Sequence, residues 1–492
     1  MNKKLLLIPL VVLVLLLAAV PIALAGPEAC DTRVNNTFAK LLECVTLDGV
    51  REHQAAFQAI ADANNGIRTS GTPGYDASVD YVAGRMEAAG YNVTVQPFEY
   101  QTFITLSPSV LEQVAPVPGP VVNNIMSYSG SGDHTAAVST LPVITGCNAS
   151  DFAGFPAGNI ALISRGACTF ALKATNAAAA GASGVIIYNN APGTLNGTLS
   201  STFTLDISVT SVTQAVGQQL AATPGLVMRL KTDTFRGIAT TYNVLAESTS
   251  GDPNNVVMAG AHLDSVNAGP GIQDNGSGSA AILEVAEQMA KVKPRNKVRF
   301  AWWGAEESGL VGSRYYVANL SPEELSKITL YLNFDMIGSP NHVFFIYDGD
   351  DSDGVGAGPG PEGSAQIEKT FERYFNMVGV PFKGTDFSGR SDYGPFIENG
   401  IPSGGLFTGA EGIKTPEEAA IWGGTAGDQY DPCYHLACDT YDNINLEAFD
   451  VNSDAVAYAT LQYAMNTEEI NAVKGKGNFQ PHVVEHHDEV DQ

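Results

Sequence analysis

From Gly237 onward the chain alternates short apolar runs with helical stretches. They are "GIATTYNVLAES", "NNVVMAGAHL", "SGSAAILEVAEQMAKV", "KVRFAWWG", "ITLYLNFDMIG", "NHVFFIYDGD" and "SAQIEKTFERYFNMVG". This alternation predicts an α/β fold, a mostly parallel mixed sheet flanked by helices, because parallel strands need helical crossovers. Open sheets of this kind bind their ligands beyond the carboxyl ends of the strands. Three successive predicted strands end there in metal-ligand residue types. "VVMAGAHLDS" ends at His262 and Asp264, "VRFAWWGAEES" at Glu306 and Glu307, and "LYLNFDMIG" at Asp335. One charged residue at a strand end is ordinary; three strands in a row is a signal.

Two further segments add to the set. "GIQDNGSGSA" places Asp274 just ahead of a glycine-rich helix start, and "YDPCYHLACDT" holds His435 between Cys433 and Cys438. Imidazoles combined with carboxylates suit zinc. His262, Asp274, Glu307, Asp335 and His435 suffice for two ions if one carboxylate bridges, and a pair of ions can clamp a nucleophile and the carbonyl it attacks. Asp264 is placed to accept the free ring N–H of His262. The adjacent glutamates then divide the work: one binds metal while its neighbour handles a proton.

The motifs "AHLDS", "DNGSGSA", "WGAEESGLVGS", "NFDMIG" and "DPCYHLACDT" resemble those of the secreted co-catalytic di-zinc aminopeptidases of the bacterial leucyl aminopeptidase, aminopeptidase S and aminopeptidase Y type. The similarity runs from about Gly49 to Tyr463 with an insertion. It implies the zinc-dependent exopeptidase fold, two Zn2+ per chain and a bridging Asp274. It places His262 with Glu307 on one ion and Asp335 with His435 on the other. It implies Glu306 as general base and acid, Tyr434 as an oxyanion donor, and Arg390, Phe407 and Tyr434 as substrate contacts. It also implies a cis peptide after Asp274. The insertion, with "VITGCNASDF" and "GNIALISRGACTFALKATNAAAAGASGVIIYNN", resembles a protease-associated domain in which Cys147 and Cys168 are a structural couple.

The expected organisation is a signal peptide at 1–25, the first part of the peptidase domain at 26–108 and the β-rich protease-associated insertion at 109–236. The second part of the peptidase domain, with the metal site, follows at 237–468, and a polar tail at 469–492. "MNKKLLLIPLVVLVLLLAAVPIALA" has two lysines, an apolar run and a small-x-small ending at Ala23 and Ala25, the pattern of a cleaved secretory leader. No second apolar run of spanning length follows, so a secreted protein without a stable membrane span is expected, as a monomer. Six cysteines in an exported chain point to disulfides. Fifteen pairings exist, and the local couples Cys30–Cys44, Cys147–Cys168 and Cys433–Cys438 are expected because each lies within one predicted segment. With 26 basic against 52 acidic residues and a formal charge of −26, the chain lacks the basic footprint of a nucleic-acid binder.

Other motifs carry less. "GPGPEG" satisfies G-x-G-x-x-G literally, but its prolines and the missing helix start leave no phosphate cradle. Ca2+ is an additional candidate at "YDGDDSDG", which fails the EF-hand register, and at Asp450 and Asp454. His482, His486 and His487 belong to the tail. No G-x-S-x-G elbow supports a serine hydrolase. The expected function is therefore hydrolysis of the N-terminal peptide bond of peptides with large apolar first residues such as Leu, Met or Phe. Alternatives are a metallocarboxypeptidase, for which Arg390 would hold the substrate carboxylate, and an inactive surface binding protein, which would be expected to lack Glu306 or a ligand.

Overall fold

The strand Asp252–His262 is buried along almost its whole length from Asn255 onward, as a central strand covered on both faces must be. It pairs in parallel with Asn296–Trp303 on one side and with Ile328–Phe334 on the other. Ser403–Phe407 continues the parallel set beyond Ile328–Phe334. Phe345–Tyr347 then joins antiparallel, and Lys383–Thr385 closes the edge in parallel. The expected mostly parallel, mixed sheet is thus present. The computed structural model describes residue 30 and residues 32–473 apart from 194 and 357. The expected leader 1–25 and the histidines of the tail lie outside the described residues. A short helix, Glu468–Asn471, stands where the polar tail was expected to begin.

Both faces carry cores. Side chains alternate across a strand, and the two tryptophans of "AWWG" use this. Trp302 joins the cluster formed with Gly276–Met289, Leu446–Met465 and neighbouring helices, while Trp303 joins the opposite cluster with Tyr331, Tyr393 and Phe396. Each indole N–H is satisfied, by Ser279 O at 3.1 Å and Tyr331 Oη at 2.8 Å. Trp302→Ala is expected to cost about 3–5 kcal/mol of stability by leaving a cavity beside the site-bearing strands; equilibrium denaturation in urea checks this.

The helices begin and end where the sequence says. Thr46 caps Leu47–Ala63 by accepting from Gly49 N, and Thr72 precedes Pro73–Ala89. Val79, Val82 and Met86 form its buried face, and Gly90 ends it with φ 91°, a left-handed value that glycine adopts without steric cost.

Two long antiparallel strands, Asn92–Ala115 and Val227–Glu247, connect the peptidase sheet to the insertion. Val227–Glu247 pairs with Asn296–Trp303 at its carboxyl end and with Gly132–Thr140 near its start. The boundaries expected at 108/109 and 236/237 therefore fall inside continuous strands. Pro108 lacks a ladder N–H, and the register shifts just before it, between Thr105 and Ser107, and across it, between Ser107 and Val110. Within the insertion, Ile160–Ser164, Gly184–Tyr188 and Ser208–Val212 form a parallel set buried on both faces. The three local disulfides are formed as expected. No helix among the described residues is long and apolar enough to cross a membrane.

Candidate active site

The strand ends converge. His262 terminates Asp252–His262, Asp335 follows Ile328–Phe334 directly, and Glu306 and Glu307 follow Asn296–Trp303 after a Gly304–Ala305 turn. Asp274 enters from the loop before Gly276–Met289, and the Asp274–Asn275 peptide is cis. His435 arrives on the loop closed by the Cys433–Cys438 disulfide. The backbone around these groups is unusual: Ala305, Met336 and His435 have φ of 55°, 53° and 57°. Left-handed non-glycine residues cost of order 1–3 kcal/mol and persist where their surroundings fix them. Here Ser70 Oγ accepts from Ala305 N at 2.7 Å and Asn275 Oδ1 from Met336 N at 3.2 Å.

Asp274 sits at the centre. Its Oδ1 lies 3.2 Å from His262 Nε2, and its Oδ2 lies 3.2 Å from His435 Nε2. His262 Nε2 is also 3.3 Å from Asp335 Oδ1, and His435 Nε2 is 3.1 Å from Glu307 Oε2. The two halves are therefore His262 with Asp335 and His435 with Glu307. This differs from the pairing expected from the resemblance, which set His262 with Glu307 and Asp335 with His435. A ligand atom from each of His262, Asp274 and Glu307 also falls within 4.8 Å of the others. The closer contacts decide the grouping, because each oxygen of Asp274 addresses a different imidazole.

The donor set fits zinc. Tetrahedral donors about 2.0–2.1 Å from a zinc ion lie about 3.3–3.4 Å from one another, close to the 3.1–3.3 Å separations here. Asp335 Oδ1 and Glu307 Oε1 are buried without a hydrogen-bond partner, which is costly unless a cation meets them. Asp335 Oδ2, by contrast, accepts from Ser391 Oγ at 2.6 Å. The electrostatics say the same. Burial works against charge on His435, yet Glu307 and Asp274 raise its pKa to about 11. His262 is likewise driven well above the usual imidazole range despite burial, chiefly by Asp335 and Glu306. Burial would raise Asp274, and the two histidines hold it below the usual carboxylate range. This cage of carboxylates demands positive charge.

Glu306 is different. It is 9% exposed, and its carboxylate comes no closer to the histidines than 4.0 Å, at His262 Nε2. Burial pushes its pKa well above the ordinary value; His262 opposes, while Asp392, Glu307 and Asp335 add to the rise. Glu306 N donates to Asp264 Oδ1 at 3.1 Å, so Asp264 holds the glutamate's backbone. The ring Nδ1 of His262 meets the carbonyl oxygen of Asp264 at 3.1 Å, closer than its carboxylate at 3.6 Å.

A cavity of about 350 Å³ opens in front of these residues, lined by Phe345, Tyr347, Phe407, Tyr430, Arg390 and Tyr434 among others. Tyr434 stacks on His435 with ring centroids 3.9 Å apart, and its hydroxyl accepts from Arg390 Nη2 at 3.1 Å. Burial above all keeps that phenol protonated by raising its pKa. Arg390 also pairs with Glu411 at 2.7 Å. The sequence reading missed Ser391, Glu411 and Asp439. Asp439 is buried and accepts from Gln273 N at 2.8 Å and Asp274 N at 3.0 Å, fixing the Asp274 loop. Asp439 lies inside the quoted "DPCYHLACDT", four residues after His435, and Ser391 directly follows Arg390, where polar neighbours of a ligand could have been sought. Of the calcium candidates, Asp348 gathers with Asp351 and Asp353 and with Asp350 and Glu368. Asp450 and Asp454 join no group of three or more ligands among the described residues.

Residues 243–460 match the family model for peptidase family M28, and residues 138–220 match that for the PA domain. An aminopeptidase of Pseudomonas aeruginosa is 50% identical over 467 residues, covering 91% of this chain and 86% of that protein. The chain belongs to peptidase family M28. It is a member of the aminopeptidase type with an inserted PA domain. Leucine aminopeptidase 2 of Arthroderma otae is 46% identical to this M28 peptidase, covering 81% of the chain and 80% of that protein. Among solved structures, BSAP, a zinc aminopeptidase from Bacillus subtilis, superposes with a TM-score of 0.63 at 27% identity. That match covers 84% of this M28 peptidase and 94% of BSAP.

Proposed function

We propose that this M28 peptidase is a secreted aminopeptidase that uses two zinc ions to release large apolar residues from free N-termini. One observation carries the reading: each oxygen of Asp274 faces its own histidine–carboxylate pair, with the carboxylate of Glu306 beside them, 4.0 Å from His262 Nε2. His262, Asp335 and one oxygen of Asp274 would hold one ion, and His435, Glu307 and the other oxygen would hold the second. Bound zinc supplies Lewis acidity toward the scissile carbonyl and lowers the pKa of water.

The chain's own groups do the rest. Glu306 takes the proton of the attacking water and returns it to the leaving amine. The protonated Tyr434 hydroxyl donates toward the developing oxyanion. Glu306 and Asp335 present negative charge to the substrate's α-ammonium group. The aromatic wall of Phe345, Tyr347, Phe407 and Tyr430 receives an apolar first side chain. Leucine aminopeptidase 2 of Arthroderma otae supports that preference by its name. Arg390 is already engaged by Glu411, which weighs against its serving as the carboxylate receiver of a carboxypeptidase. The leader-like segment and the three disulfides support export.

A panel of N-terminal amino-acid anilides tests the reading. Leucyl anilide should be cleaved rapidly, aspartyl and glutamyl anilides poorly, and N-acetyl-leucyl anilide not at all, since acetylation removes the charge and adds bulk. Trimming of an N-acetylated peptide from its carboxyl end at a comparable rate would replace this reading with a metallocarboxypeptidase.

A further inference from the structure

A second cluster of ligand-type side chains lies between the helices Leu47–Ala63 and Gly276–Met289. His53 Nε2 stands 3.5 Å from Glu284 Oε2 and 3.9 Å from Glu287 Oε2, with the three side chains 1%, 6% and 18% exposed. That nitrogen is buried and makes no hydrogen bond, and one ligand atom from each residue lies within 4.8 Å of the others. The other ring nitrogen, Nδ1, is 2.8 Å from Tyr81 Oη, which fixes the ring as an outer hydrogen bond fixes a metal-binding histidine. A buried imidazole nitrogen without a hydrogen bond, aimed at two carboxylates, brings metal-ligand atom types together.

We propose that His53, Glu284 and Glu287 form a binding site for a third divalent cation, of the zinc class. One imidazole and two carboxylates suit a borderline first-row ion. Arg85 pairs with Glu287 through both carboxylate oxygens at 2.6 Å and with Glu52 at 2.9 Å, so its guanidinium must shift for Glu287 to ligate, while three carboxylates around one guanidinium leave the surroundings negative. Glu284 receives a neutral donor, Gln288 Nε2 at 3.0 Å, beside its contact with His53. The carboxylate of Glu284 needs Gly49, since a Cβ there would lie 2.5 Å from its Oε1. The partial exposure of Glu287 leaves a path for an ion. Glu284 lies eight residues along the helix from Gly276, about 12 Å at helical rise, so this site is separate from the proposed catalytic one and does not rest on it. Its donors stand farther apart than the 3.1–3.3 Å of the catalytic set, so its ion binds more weakly and leaves first on chelation.

The test is zinc content by elemental analysis of the intact protein, His53→Ala and Glu284→Gln, each dialysed against zinc and freed of excess. The intact protein should hold one zinc per chain more than either variant, with the same kcat/KM on leucyl anilide. The difference is the readout, so the number of ions at the catalytic site does not affect it. Equal zinc content in the intact protein and the variants overturns the proposal and leaves His53 as a buried neighbour of two carboxylates. If His53→Ala fails to fold, Glu284→Gln, which preserves size, carries the same comparison. A second readout is the melting temperature after mild chelation, which zinc should restore in the intact protein and in neither variant.

Discussion

Glu306→Gln is expected to lower kcat on leucyl anilide by about 10²–10⁴-fold, the usual worth of a positioned proton carrier. Zinc content should stay that of the unmodified protein. The separation of effects follows from geometry: the carboxylate of Glu306 stays 4.0 Å from His262 Nε2, while the groups proposed as ligands stand at 3.1–3.3 Å from the imidazoles. Glutamine keeps the shape and hydrogen-bonding capacity but cannot accept and return a proton. Glu307→Gln is the control. Its Oε2 faces His435, so the neighbouring substitution should lose metal along with turnover. If Glu306→Gln kept near-normal turnover with its metals bound, another group would be the base.

Asp274→Asn should be the most damaging single change to the site as a whole. Each oxygen of Asp274 faces a different histidine, and an amide can offer only one acceptor, its NH₂ turning a donor toward the other half. Both ions should weaken together, whereas His262→Ala and His435→Ala should each weaken one. Losing Lewis acidity worth several kcal/mol lowers the rate by about 10³-fold or more, at a factor of ten per 1.36 kcal/mol. Elemental analysis with leucyl anilide kinetics checks both parts. Full zinc occupancy in Asp274→Asn would contradict the bridging role.

The residues of the site were legible in the sequence because strand ends are: an apolar run that stops at His262, Glu306 or Asp335 places those groups on one side of a parallel sheet. How they combine was not legible. The strand carrying His262 lies between those carrying Asp335 and Glu307, so adjacency alone allows either partner. Asp335 follows its strand immediately, while the turn through the left-handed Ala305 carries Glu307 onward toward His435. That turn is a backbone property that no residue type announces. The joint with the PA domain was hidden for a different reason. Asn92–Ala115 and Val227–Glu247 run through it without a break, so the change of texture in the sequence marks no end of an element. Glu411 and Tyr430 reach the cavity from loops whose only sequence signal is ordinary polarity.

In the proposed reading Asp274 divides the site into two metal-binding halves. Anomalous diffraction at the zinc absorption edge, from crystals of zinc-loaded protein, tests it most directly. Two strong peaks are expected flanking the carboxylate of Asp274, one in contact with His262 and Asp335 and the other with His435 and Glu307. A single peak there, or two peaks shared as His262 with Glu307 and Asp335 with His435, would contradict it.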